Sequence, residues 1–155
     1  MFLNALIGIA SLHQPPPQPC PVIIVENISL LPFDSGSAEL SAIGRQQLDM
    51  WLRIVRARVH PTRFELIGQA DRVGRRAANL RLSHRRVNAV RSYLRRGGVP
   101  DALIRSRAEG EDFGLVETAD GVAEPSNRVV HLLAIAGPDE PTERRSCEGG
   151  APGAR

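Results

Sequence analysis

The stretch that most constrains how this chain can fold runs from Phe64 to Leu94, FELIGQADRVGRRAANLRLSHRRVNAVRSYL. It opens on the apolar run Phe64-Glu65-Leu66-Ile67, turns through Gly68-Gln69-Ala70-Asp71-Arg72-Val73-Gly74, and continues as an Arg-rich segment closed by Gly97-Gly98. The pattern predicts strand, loop and long helix, with Asp71 where the strand ends.

Set Asn79 at zero and advance about 100° per residue. Leu80, Val87 and Leu94 then fall on one flank of an apolar arc, Leu82, Ala89 and Tyr93 on the other, and Val90 between them. Arg81, Arg85, Arg91, Arg95 and Arg96 fall opposite, toward solvent. Asn79, Ser83 and Arg86 land in the middle of the apolar arc, stacked at i, i+4 and i+7. A polar stripe there is costly unless each member is hydrogen-bonded. Arg86 calls for an anion, and the carboxylate in the same unit is Asp71. Two readings follow from these residues. One is a structural ion pair inside a satisfied polar network. The other is a pocket in which Asp71 meets a cationic group and Arg86 offers its planar fork to a carboxylate, a pair suited to a zwitterion.

Composition narrows the alternatives. The 155 residues suit one domain with tails, and 42% hydrophobic residues can fill a core that is aliphatic, since only 4% are aromatic. The 20 basic residues are all Arg, and the net charge is only +3. Nothing interleaves aromatic and basic residues as single-strand binders do, so the Arg-rich face is expected to be solvated and nucleic acid is not an expected partner. No paired Cys motif or His cluster has metal spacing, so no metal or cofactor is expected. Asp71 with His84 would be the one acid–base pairing to consider, but His84 falls on the solvent side of the helix. With no nucleophile elbow or phosphate loop, an enzyme is not expected.

Along the chain, Met1–His13 is an apolar run too short to span a membrane. It lacks the positive start and small-residue cleavage site of a secretory signal. A truncated start or a short export signal would account for it. Residues 14–21 form a Pro-rich spacer. Cys20 follows Pro-Gln-Pro rather than a small-residue box, so lipidation there is not expected. Cys20 and Cys147 lie outside the expected core, and their pairing in an oxidising compartment stays open. Val22–Phe33 reads as a first strand with a break at Glu26-Asn27. Ser41 caps an amphipathic helix carrying Leu48, Trp51, Leu52, Val55 and Val59, stopped at His60-Pro61. After the Phe64–Leu94 unit come a short turn at Pro100–Leu103 and a third strand from Ile104 to Gly110, with Arg105 and Arg107 on one side. A long acidic loop follows, then a last strand from Asn127 to Ile135 and a Pro/Gly/charge-rich tail expected to be disordered. The expected fold is α/β, with order βαβαββ and helices packed on one small mixed sheet.

From Gly68 to Arg86 the sequence reads G-Q-A-D-x-x-G-x-x-x-x-N-x-x-L-S-x-x-R. It closely resembles the signature of OmpA-like C-terminal domains, the peptidoglycan-binding modules of outer-membrane proteins, Pal-type lipoproteins and flagellar stator proteins. Gly68, Asp71, Gly74, Asn79, Leu82, Ser83 and Arg86 match it. Phe33–Leu40, Glu109-Gly110-Glu111 and the last strand resemble neighbouring family segments. The resemblance implies a two-layer sandwich over residues 22–136, with a leader and spacer at 1–21 and a tail at 137–155.

The resemblance further implies noncovalent binding of peptidoglycan through the diaminopimelate of its stem peptide, anchoring or positioning an envelope component at the wall. Asp71 would take the ligand's ammonium and Arg86 its carboxylate; Asn79 would hold loop or ligand, Arg128 would add a second cation, and Gln69, Ala70 and Val73 would line the loop. It implies a periplasmic location at the wall or outer membrane, with outer-membrane or envelope proteins as further partners. Three positions depart from the family pattern: Gln69 replaces a His, Val129 an Arg and Val87 an Ala, and a Pro is frequent where Gly114 stands. The first two keep open an alternative, an interaction module that has lost strong wall binding.

Overall fold

A hydrophobic face is what each element brings to this fold, and one core collects them. The computed structural model describes residues 24–58 and 61–136. The expected leader, spacer and tail, both cysteines, and Val59 and His60 at the helix stop lie outside the described residues. Strand β1 (Ile24–Pro32) is followed by helix α1 (Ala42–Arg58), strand β2 (Arg63–Gln69), helix α2 (Arg76–Arg96), strand β3 (Ile104–Gly110) and strand β4 (Val129–Ala136). Short 3-10 turns at Asp101–Leu103 and Pro125–Asn127 precede β3 and β4. The expected mixed α/β arrangement is thus present. The last strand begins two residues later than the sequence suggests, because Asn127 belongs to the turn.

The sheet order is β1-β4-β2-β3. β4 runs antiparallel to both neighbours, and β2 pairs parallel with the edge strand β3. The expected break in β1 is a register shift between Val25 and Asn27. Along β2, Phe64, Leu66 and Gly68 alternate inward while Glu65 and Ile67 are half-buried on the other face. Leu48, Trp51, Leu52 and Val55 of α1 pack over this face with Val87, Val90 and Leu94 of α2. Ser41 caps α1 through its Oγ, which accepts from the Gly44 N–H at 3.0 Å. Gly98, at φ +87°, closes α2 in the left-handed region, and Val99 N–H reaches the Leu94 carbonyl.

The helical arc holds with one correction. Asn79, Leu82, Ser83, Arg86, Val87, Val90 and Leu94 are buried, but Leu80 is 42% exposed. β3 is the edge of the sheet, and a side chain on its Gly110 would come within 3.2 Å of the Leu80 Cα. The strand therefore meets the Leu80 main chain, and the side chain lies past the sheet edge. Gly68 decides how α2 sits on β2: an added Cβ would lie 2.5 Å from Val87 Cγ2 and 2.7 Å from the Ser83 carbonyl oxygen. Val87 fills the space that the missing Cβ leaves.

Candidate functional site

The site is built where β2 gives way to the loop before α2. The polar stripe of α2 lies beneath that loop and is satisfied member by member. Ser83 Oγ donates to the Leu80 carbonyl at 2.9 Å and accepts from the Gly110 N–H at 3.1 Å, tying α2 to β3. Asn79 Nδ2 donates to the Asp71 carbonyl at 3.0 Å and to Glu111 Oε2 at 2.6 Å. One amide thus fixes both the loop that carries Asp71 and the exit from β3.

Arg86 departs from expectation. It is fully buried, and its guanidinium meets main-chain carbonyls rather than Asp71. Nε donates to Ser37 O at 2.8 Å, Nη1 to Gln69 O at 2.9 Å and Nη2 to Asp34 O at 2.9 Å. Its Cζ also lies 5.3 Å from the centroid of the Phe33 ring, within cation–π range. Burial lowers its pKa to about 10, an effect the Asp71 charge opposes in part, and the group stays protonated at neutral pH. The direct partner of Asp71 is Arg128, whose Nη1 lies 3.0 Å from Oδ2 and whose Nε donates to Phe33 O at 3.3 Å. The expected Asp71–Arg86 ion pair is therefore replaced by Asp71–Arg128, with Arg86 serving the loop backbones. A planar group with several divergent donors can satisfy several carbonyls at once, which a single carboxylate does not require.

The remaining expected residues separate. Ala70 is buried, and its N–H reaches Gly110 O at 2.7 Å. Val73 is 40% exposed at the tip of the loop. Gln69 turns its amide away from Asp71: Nε2 donates to the Phe113 carbonyl and to Glu109 Oε2 at 3.3 Å, while Oε1 lies 3.0 Å from His131 Nε2. Only its main-chain carbonyl serves Arg86. Val129, in place of the family's second Arg, is buried. His84 is exposed, as expected.

Asp34, Ser37, Glu111 and His131 are participants that sequence reasoning missed. The first two act through main-chain carbonyls, which leave no trace in side-chain identity. Glu111 stood in a segment already resembling the family, next to the Gly110 that closes β3. His131 carries a consequence for stability. Burial holds its imidazole below the usual 6.5, with Glu109 opposing and Arg107 reinforcing the shift. The unfolded chain therefore takes up the proton first as pH falls. Stability from this group is full above about pH 6.5 and declines as pH drops toward the lowered folded value. Between pH 7.5 and 5.5 the melting temperature of His131→Gln should fall less than that of the wild type. Equal slopes in thermal melts would remove His131 from the account.

Among the described residues, no group of three or more His, Cys, Asp or Glu is placed to hold a metal, and no helix is long and apolar enough to cross a membrane. A groove of about 540 Å³, lined in part by Met50, Arg53, Arg56 and Gly97, lies by the opposite end of α2 and contains none of the motif residues. The pairs Arg72–Asp120 and Arg76–Asp112 tether the loops at the surface. Exposed pairs of this kind add little to stability.

A family model described as the OmpA family matches residues 32–128, most of the described fold. The chain belongs to the OmpA family. It is 32% identical over 130 residues to outer membrane protein A of Yersinia pseudotuberculosis, covering 81% of this chain and 36% of that protein. It is 30% identical over 132 residues to outer membrane protein A of Bordetella avium, covering 83% and 66%. The chain thus spans about a third of the Yersinia protein and about two thirds of the other. Among solved structures, the peptidoglycan-associated lipoprotein of Burkholderia pseudomallei superposes with a TM-score of 0.59 at 24% identity, covering 69% of this chain and 89% of that one. The periplasmic domain of Helicobacter pylori MotB superposes with a TM-score of 0.62 at 13% identity, covering 77% and 79%. These two likenesses establish the OmpA-like fold. The relatives and neighbours bear the names of envelope proteins, not of enzymes.

Proposed function

We propose that this OmpA-family domain binds peptidoglycan noncovalently through the diaminopimelate of the stem peptide, anchoring or positioning an envelope component at the cell wall. The observation that carries the reading is the Asp71–Arg128 pair at 3.0 Å, held over the buried Arg86. Asp71 and Arg128 already form an internal copy of the contacts a zwitterion would make. An incoming ammonium takes the place of the guanidinium on Asp71, and the released Arg128 turns to the ligand's carboxylate. The exchange conserves charge, so neither group is left buried and unpaired. Arg86, buried beneath the carboxylate end, adds positive potential there and holds the loop carbonyls in place. Asn79 holds the main chain of Asp71 while its side chain changes partner. Gln69, Ala70 and Val73 shape the loop, Val73 as its exposed tip. The wall fragment is the partner this chemistry fits, in the periplasm or at the outer membrane.

The test is sedimentation of the protein with purified cell wall. Asp71→Asn keeps the shape of the side chain and removes its charge. Loss of a charge-assisted contact should weaken retention by about tenfold or more. Equal retention of Asp71→Asn and wild type would end the pocket assignment. One observation favours a second reading: Asp71 is already paired and Arg86 has no exposure, as a purely structural network would have it. On that reading the domain is an interaction module without strong wall binding, and the wild type itself fails to sediment.

A further inference from the structure

The two edges of the sheet differ. β3 shows the exposed Arg105 and Arg107, charges that keep an edge strand from pairing. β1 has no strand on its free side among the described residues, and it shows Ile28, 64% exposed, and Leu30, 43% exposed. The ladder to β4 fixes which backbone groups are left over. Phe33 N–H donates to the Arg128 carbonyl at 2.8 Å, so the Phe33 main chain faces β4. Alternation turns Leu31 and Ser29 the same way, and Pro32, Leu30 and Ile28 toward the free side. Pro32 has no N–H to offer, and the register shift between Val25 and Asn27 breaks the strand at its other end. What remains is a short window around Ser29. Leu31 and Phe33 point into the core, so Ile28 and Leu30 point to the helix-free face.

The helix layer repeats the pattern at the same edge. α2 packs on β2 and β3 and α1 on β1, so the flank of α1 turned from α2 borders the free strand. Leu52, close to Gly97, and Arg56, donating to the Gly97 carbonyl, mark the α2 side. At about 100° per residue, Ile43 and Ile54 fall toward the other flank, with Gln47 between them. Ile43 is 69% exposed and Ile54 39%. α1 runs back along β1: a Cβ on Gly44 would lie 3.6 Å from Leu31 Cδ1, and beyond the helix Thr62 N–H reaches Ile135 O, level with Val25. From the Gly44 contact, the midpoint of Ile43 and Ile54 is about 7 Å along the helix. From Leu31, Ser29 is also about 7 Å along the strand. The pair Ile28 and Leu30 and the pair Ile43 and Ile54 are thus centred on one level.

We propose that the β1 edge is the docking surface for a second copy of this chain, related by a two-fold axis through Ser29 normal to the sheet. Antiparallel pairing about Ser29 sets Ile28 opposite Leu30 of the second copy, and Leu30 opposite its Ile28. These are the residues whose main chain faces outward, so each pair exchanges both of its N–H···O bonds. The same axis brings Ile43 toward Ile54 of the second copy across the helical layer. Neutral Gln47 lies between them, so the surface meets itself there without like charges. A lone strand from another protein satisfies the main chain but leaves the α1 flank bare. A second copy covers both layers, which decides the occupant. The axis reverses the strands, so the two Asp71 loops lie at opposite ends of the assembly.

The experiment is sedimentation equilibrium of the full chain, in which a dimer is expected. Ile28→Lys, in the sheet layer, and Ile43→Lys, in the helix layer, should each raise the dissociation constant about tenfold or more. Both side chains are exposed, so both variants keep the fold, which circular dichroism checks. A cross-link locates the axis. With Cys20 and Cys147 replaced by Ser, Ser29→Cys should form a disulfide-linked dimer under mild oxidation. Ser29 would face its own copy in a non-hydrogen-bonded pair, where side chains are closest and a disulfide fits. A wild type that stays monomeric at about 0.2 mM overturns the proposal. So does a dimer whose affinity is unchanged by Ile28→Lys, or one in which Ser29→Cys gives no cross-link.

Discussion

Arg86→Ala is expected to lower the stability of the domain by about 3–5 kcal/mol, a large share of what holds a domain of this size together. The size of the effect follows from what the side chain touches. Arg86 is fully buried and supplies hydrogen bonds to the carbonyls of Asp34, Gln69 and Ser37. Alanine leaves the buried Gln69 carbonyl and the part-buried Ser37 and Asp34 carbonyls without that donor, and opens a cavity where the guanidinium and its stem lay. Those carbonyls belong to the exit of β1 and the end of β2, so the loss detaches two loops from α2 at once. Arg86→Lys keeps the charge but gathers the donors on one nitrogen, and an ammonium cannot reach carbonyls that diverge around a planar fork. It should fall between alanine and wild type. Urea denaturation of the three proteins measures the order, and a Lys variant as stable as wild type would show that the fork is dispensable. This result also governs the wall experiment. Lost retention in an Arg86 variant mixes lost contact with lost fold, which makes Asp71→Asn the cleaner probe.

Gly68→Ala should destabilise by about 2–3 kcal/mol, the upper range for forcing one carbon into a packed contact. The added Cβ would sit 2.5 Å from Val87 Cγ2 and 2.7 Å from the Ser83 carbonyl oxygen. Val87 can turn aside, but the Ser83 carbonyl is helix main chain and moves only if α2 lifts from β2. Two contacts of different stiffness make a double-mutant cycle informative. Val87→Ala, which restores the residue common in the family pattern, should recover part of the loss in a Gly68→Ala background. Full recovery would mean that the main-chain contact costs nothing. No recovery would mean that the carbonyl alone sets the spacing. Because Ser83 also accepts the Gly110 N–H, lifting α2 loosens β3 as well.

The elements were legible because each advertises itself locally. The apolar spacing from Leu48 to Val55, the alternation from Phe64 to Gly68, Ser41 at a helix start and Gly97-Gly98 at a helix end depend only on near neighbours, and the structure keeps them. Even the buried polar stripe of Asn79, Ser83 and Arg86 was readable, since helical geometry alone puts these residues on one face. Leu80 was misread for a related reason. Helical geometry gives its angle, but whether anything covers that angle depends on where the sheet ends.

The pairing of charges was of another kind. From sequence, Asp71 and Arg86 were the charges of one unit and pairing them was reasonable. Arg128 lies far along the chain, and the antiparallel placement of β4 beside β2 and β1 brings it to Asp71. The acceptors that occupy Arg86 are carbonyls, which every residue carries, so no side chain marked Asp34, Ser37 or Gln69 for that role. Sequence by itself determined the elements, the buried polar face and the family, because periodicity and motif spacing are properties of short stretches. Only the tertiary structure decided which cation meets Asp71 and what Arg86 holds. Those depend on distances between segments far apart in the chain, and on backbone groups that carry no sequence identity at all.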